Sequence, residues 1–272
     1  MTIPANRTRE ERDATQPPAR AERNGAGPRR PPALSSERRL SLVELDLLAA
    51  HAGVRFPFPL RVPEFGRILG EREVLLAGAG VTLRARGLAG ERGPLGVAAE
   101  VVRALSEHRG SVDVVLTGPD EAVGVVAMVY RSWTLICSQS LTGEAATDEV
   151  RIRRVAQNAL ADELMGLVPV IEPAVVMPIT LRPDEVEPAV LDELGLVLPE
   201  LAGAGQLGGT RRGTAGATRC GTELSWLDGP RGRVRVTRAQ DGWISVNSLR
   251  QNEIRSTLNS LAMIARKVHD GY

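Results

Sequence analysis

Two stretches of short, Val-rich, alternating segments set the strongest limit on how this chain can fold. In the first, residues 111–117, 122–130, 133–138 and 148–155 read as strands, with Gly118-Pro119-Asp120 as the first turn. Val150, Ile152 and Arg154 share one face of the last of these. In the second, residues 218–227, 233–238 and 243–246 read as strands, separated by Asp228-Gly229-Pro230 and Gln240-Asp241-Gly242. Gly118-Pro119 matches Gly229-Pro230, and Trp133 matches Trp243 at the head of each third strand. Helical patterns precede and follow each meander. The match predicts an internal duplication with pseudo-two-fold symmetry. A lone meander leaves a bare edge and an uncovered face, so the two should merge into one sheet in an α+β fold.

The helices come from periodicity and capping signals. Ser41-Leu42-Val43-Glu44 has the form of a capping box, and Leu42, Leu45, Leu48 and Ala52 follow at helical spacing up to Gly53. Residues 64–86, 95–108, 156–168 and 184–202 read as further helices, with Gly78 and Gly80 weakening the first. A last helix should start at Ser248-Leu249-Arg250-Gln251 and run through Ile254, Leu258, Leu261, Ile264 and Val268. The Gly-rich stretch 203–216 reads as a loop. Residues 1–39, polar and rich in Arg and Pro, are expected to be a disordered tail. Two lobes, 40–170 and 171–272, then form one merged domain.

Composition bears on function by exclusion. The 272 residues are 43% hydrophobic and carry a net charge of +1, so no global field draws the chain to nucleic acid or lipid. Aromatic residues are 3%, too few for a base-stacking platform. Cys137 and Cys220 belong to no CxxC pair and read as free, buried thiols. His51, His108 and His269 each sit near a helix C-terminus, where the dipole explains them without catalysis. HExxH and GxSxG are missing, and the sole lysine, Lys267, lies in the last helix, so a Walker loop is ruled out. Gly203-Ala204-Gly205-Gln206-Leu207-Gly208 spells a dinucleotide fingerprint, but it does not follow a strand and open a helix. These observations argue against an enzyme, a metal or a cofactor. With no apolar run long enough to span a bilayer and no export signal, the cytoplasm is the expected location.

The second meander carries a resemblance. Gly205-Gln206-Leu207-Gly208, Arg211-Arg212, Thr218-Arg219, Leu224-Ser225-Trp226-Leu227-Asp228, Arg231-Gly232-Arg233 and Asp241-Gly242-Trp243-Ile244-Ser245-Val246 resemble, in order, the C-terminal signature of the EspG family. Ser41 to Leu48 and the first meander are similar to the opening helix and first lobe of that family, so the resemblance covers about residues 41–268. It implies a central antiparallel sheet flanked by two helical bundles. It also implies a chaperone of type VII (ESX) secretion, which binds a helical PE–PPE-like heterodimer or another helical secreted protein and directs it to the secretion machinery. The contact residues it implies are Arg131 and Ser132 in the turn between the second and third strands, and Gln206, Leu207, Arg211 and Arg212. The alternative is a regulatory or nucleic-acid adaptor acting through the basic tail. A third, an unrecognised enzyme, would need a pocket of buried titratable groups.

Overall fold

The computed structural model describes residues 37–142, 149–182, 200–213 and 216–267, all within the compact unit Leu34–Tyr272. The expected tail (except 37–39), the helix over 184–202 and His269 lie outside the described residues, or almost so.

Helix α1 (Leu42–Ala52) starts where the capping box places it. The Ser41 hydroxyl accepts from the Glu44 N–H, and the Glu44 carboxylate accepts from the Ser41 N–H. Gly53 ends it in the left-handed conformation, with φ of 68°. Before it, β1 (Arg38–Ser41) is a strand, so regular structure begins three residues ahead of the expected start at Ser41. Helix α2 (Glu71–Ala85) begins after Gly70 rather than at 64, and α3 (Gly96–Glu107) follows a small hairpin of β2 (Ala89–Gly90) and β3 (Gly93–Pro94).

The first meander is as expected: β4 (Gly110–Thr117), β5 (Ala122–Tyr130), β6 (Trp133–Ser140) and β7 (Glu149–Ala156). The helix expected over 156–168 is a 3-10 turn at Gln157–Ala159 and a short α4 (Leu160–Met165). The second half begins with β8 (Ile179–Leu181). Next, the stretch expected to be a Gly-rich loop is a strand, β9 (Gly203–Gly213). Then come β10 (Gly216–Gly229), β11 (Gly232–Arg238), β12 (Ile244–Ser248) and α5 (Gln251–Arg266). The cap of α5 lies two residues beyond the expected one: Glu253 accepts from the Arg250 N–H at 3.0 Å. Trp243 sits one residue ahead of β12.

The large strands form one ten-stranded sheet, ordered β1-β7-β6-β5-β4-β9-β10-β11-β12-β8, with every neighbouring pair antiparallel. The two meanders join where β4 pairs with β9, from Gly110 opposite Arg211 to Thr117 opposite Ala204. Because β9 is a strand, the two Gly-Pro turns occupy different places. Gly118-Pro119 joins β4 to β5, while Gly229-Pro230 lies between β10 and β11, one strand farther from the centre. The matching of those two turns is therefore corrected.

Alternation divides the side chains between two faces. On one, Val126, Met128, Leu135, Val150 and Ile152 meet Leu45, Leu48, Leu83, Val101 and Leu105 from α1, α2 and α3. On the other, Val112, Val114, Val125, Leu207 and Trp226 meet Leu160 and Leu164 of α4 and Ile254, Leu258 and Leu261 of α5. A third, smaller cluster of Ala174, Val234 and Val246 lies on the second half. The strand registers put Val234 and Val246 on the same face as Val126 and Met128.

Candidate partner-binding surface

Each expected contact residue has a definite place. Arg131 and Ser132 are the two exposed turn residues between Tyr130 and Trp133, and Arg131 takes the left-handed φ of 41° that so tight a hairpin requires. Arg131 pairs with Glu107 at 3.3 Å, stacks on the Tyr130 ring and accepts at its carbonyl from Gln157 Nε2. Arg211 and Arg212 lie at the same end of the sheet, because Arg211 pairs with Gly110 and Gly110 with Val129. Gln206 lies farther along β9, half-buried, on the face shared with α1–α3.

Two of the six are engaged within the fold. Leu207 is fully buried under Trp226 and the α5 side chains, where no partner reaches it. Arg212 is held within the fold: its Nη1 donates to the carbonyls of Leu105 and Ser106 at 3.0 and 2.7 Å, capping the C-terminal end of α3. Alternation along β9 explains both, since adjacent residues point to opposite faces.

Beside Gln206 the structure brings together residues the sequence gave no reason to associate. Asp113 of β4 is buried and paired with Arg219 of β10, which also donates to Glu223 at 2.7 Å. Burial pushes the Asp113 carboxyl above its ordinary value, outweighing Arg219. Gly208 leaves room here for the Arg219 guanidinium, which a Cβ would displace. The cluster, with Thr210 and Ser225, makes a polar strip between the two apolar clusters of this face.

At the opposite end of the sheet a cleft of about 590 Å³ opens. Leu116, Val123, Val125, Leu167, Pro169 and Ile171 line it, and Arg39 and Arg151 stand among its polar neighbours. Beyond the lining residue Ile171 the same segment runs past the start of β11, and Val170, Val175 and Met177 along it are almost wholly exposed. A buried pair fastens this segment. Arg233 donates to both oxygens of Asp228, at 2.6 and 3.0 Å, to Gln251 and to the Pro169 carbonyl, with its guanidinium over Trp226. Residues 172–174 cross so near Gly232 that a Cβ there would lie 2.6 Å from the Glu172 carbonyl oxygen. Apolar side chains held out to solvent by a rigid anchor suit protein contact. Sequence reading missed them because isolated apolar residues outside a periodic pattern carry no signal of exposure.

The titratable groups show little chemistry. Burial, reinforced by Arg212, lowers the pKa of His108, whose Nδ1 lies 2.8 Å from the Ala104 carbonyl. Cys137 is buried with its thiol pushed up to about 12, while Cys220 is half-buried, not buried as expected. Among the described residues, no three His, Cys, Asp or Glu side chains group as a metal site would require. The fingerprint glycines of 203–208 lie within β9 and open no helix; Gly205 makes room for the Trp226 ring. Among the same residues, no helix is long and apolar enough to cross a membrane.

The EspG family model matches residues 41–260. The chain belongs to the EspG family. Among solved structures, this EspG member is similar to the type VII secretion system chaperone EspG5 of Mycobacterium tuberculosis, solved in complex with the PE25–PPE41 dimer. The identity is 13%, the alignment covers 87% of this chain and 99% of that one, and the TM-score is 0.57, which shows a shared fold. HtdX of Mycobacterium tuberculosis aligns at 12% identity over 79% of this EspG chain and 99% of its own, but at a TM-score of 0.15. No curated protein matches the chain.

Proposed function

We propose that this EspG protein is a non-enzymatic, cytoplasmic chaperone of type VII secretion, which binds a helical PE–PPE-like heterodimer, keeps it soluble and presents it to the secretion machinery. The observation that carries this reading is the family match over 41–260, together with a fold shared with a chaperone that itself binds such a dimer. The exposed apolar segment gives physical support. Val170, Val175 and Met177, exposed along the segment that follows the cleft-lining Leu167 and Pro169, offer anchors. Arg131, Ser132 and Arg211 at one end of the sheet, and Gln206 farther along its α1–α3 face, belong to the same proposal as further contact positions.

Coexpression with a PE–PPE pair tests it. The expected result is one co-eluting complex, weakened at least about tenfold by Met177→Asp or Val175→Asp, because a desolvated anchor is lost. Gln206→Arg and Arg131→Glu report on these further positions. Failure to form any complex with such pairs would overturn the function. A complex indifferent to all four substitutions would overturn the surface.

The two lobes, 40–170 and 171–272, belong to the same reading as a pseudo-two-fold repeat, matching β4 with β9 and β5 with β10. The mirrored strand order on either side of the β4–β9 junction supports it. Helices α1–α3 on one face and α4 with α5 on the other support two helical bundles. Coexpressed as separate chains, the lobes should recombine into one species, since each leaves a bare central edge. Lobes that stay apart and folded would refute the merged platform.

A further inference from the structure

We infer that the outer face of α2 is a self-association surface, on which a second copy of this chain docks through an antiparallel α2–α2 contact. This goes beyond the secretion reading and does not depend on it. The inner face of α2 buries Ala79 and Leu83, and Leu83 joins the first core. The outer face carries Val74 and Val81, 72% and 60% exposed, with Ala77, Gly78 and Ala85 exposed between and beyond them. Spacings of three, four and seven residues put these side chains on one stripe. Ile68 and Leu69, just before the helix, are 74% and 100% exposed. An apolar stripe of this kind, rimmed by charge, marks a contact surface.

Gly78 is the first pointer to what covers it. A Cβ at this position would meet nothing within 4 Å, so nothing within the described fold requires glycine. Glycine inside a helix costs about 1 kcal/mol relative to alanine. Its use is a close approach of something from outside, at the midpoint of the stripe. A second helix reaching an interaxial distance of about 8 Å needs such a small residue at the crossing.

Charge selects the occupant. Glu73 lies in the first turn of α2 and Arg84 in the last, about three turns apart and on the same flank of the stripe. Neither makes an ion pair or side-chain hydrogen bond among the described residues, whereas Glu71, Arg72 and Arg86 are engaged within the chain. In an antiparallel pair with its two-fold axis near Gly78, the same flanks of the two helices meet. Glu73 of one copy then faces Arg84 of the other, twice, and Val74 packs against Val81 of the second copy. The stripe is self-complementary in shape and in charge, as an isologous contact must be.

Sedimentation velocity on the full chain, from micromolar to submillimolar concentration, tests the inference. A contact of this size belongs to the transient class, so a dissociation constant on the order of tens of micromolar is expected. Val81→Asp should leave a monomer at every concentration. Glu73→Arg and Arg84→Glu should each weaken the dimer roughly tenfold through like-charge contacts, and the double variant should restore it. All three positions are exposed, and an unchanged thermal melt confirms that each variant is folded. A wild-type chain that stays monomeric overturns the inference. So does a dimer that survives Val81→Asp, or one that the charge swap fails to restore. If the wild type is monomeric but Val81→Asp abolishes capture of a PE–PPE pair, the face belongs to that partner and self-association is refuted.

Discussion

The two halves of the sheet are closed differently on the face they share. Over β5, β6 and β7, helices α1, α2 and α3 bury a broad apolar cluster that includes Leu45, Leu48, Met128 and Leu135. Over β11 and β12, the described cluster has three fully buried members, Ala174, Val234 and Val246, and the neighbouring segment leaves Val175 and Met177 in solvent. The first half holds itself together by area. The second is anchored from the opposite face, by the buried Arg233–Asp228 pair beside Trp226, whose guanidinium and carboxylate lie out of water. A broad apolar core tolerates small losses. A buried ion pair does not tolerate loss of one partner, because the other charge is stranded.

The sharpest way to break this contrast is Arg233→Ala. It should cost about 3–5 kcal/mol in denaturant unfolding, since Asp228 is left buried and unpaired. Arg72→Ala, in the first half, should cost about 1–3 kcal/mol. Asp46 is equally buried, but it still accepts from the Phe65 N–H, and its Arg partner is partly exposed. If the two losses are equal, the halves are not anchored differently.

Next in size are the apolar clusters themselves. Leu48→Ala should cost about 2–5 kcal/mol, the range for a buried leucine. Val236→Ala, at a half-buried position of the second half, should cost about 1 kcal/mol. The same denaturation curves measure both.

A smaller effect is tied to pH. His108 has a folded pKa below its ordinary value of 6.5, because burial and then the Arg212 charge disfavour the imidazolium. The unfolded chain therefore takes the proton at a higher pH than the fold does. Stability from this group is complete above about 6.5 and is lost as pH falls from there toward the lower folded value. His108→Asn should flatten that slope between pH 7.5 and 5.5 in urea melts (pH values set by the ordinary histidine pKa, about 6.5). Unchanged slopes would mean that His108 is not the group responsible.

The smallest effect leaves stability untouched. A thiol reagent should modify the half-buried Cys220 of β10 in the native protein, while Cys137 of β6 reacts only after unfolding. Equal rates at the two thiols would remove the contrast in packing between these strands.

How much of this was legible varied with how local the signal was. The capping box at Ser41 and Glu44 placed the start of α1 to the residue, because both hydrogen bonds lie within one turn. The Val-rich alternation of 111–117, 122–130 and 133–138 located β4, β5 and β6 within two residues. The contact surface was far less legible. Of the six expected residues, Leu207 is in the core under Trp226 and α5 and Arg212 caps α3, and both outcomes depend on elements distant in sequence. The exposed segment at 170–177 had no pattern to announce it.

By itself, the sequence determined the class of fold, the positions of the locally signalled helices and strands, and the family. Only the tertiary structure decided that 203–213 is a strand. In isolation its glycines favour a flexible loop, since glycine loses the most conformational freedom on ordering. In the fold they have uses: the Trp226 ring requires glycine at 205, the Arg219 guanidinium and a Leu261 methyl lie over Gly208 and Gly209, and pairing with β4 and β10 on both sides satisfies the backbone. A side chain that needs empty space, and the distant group that fills it, become neighbours only when the chain has folded.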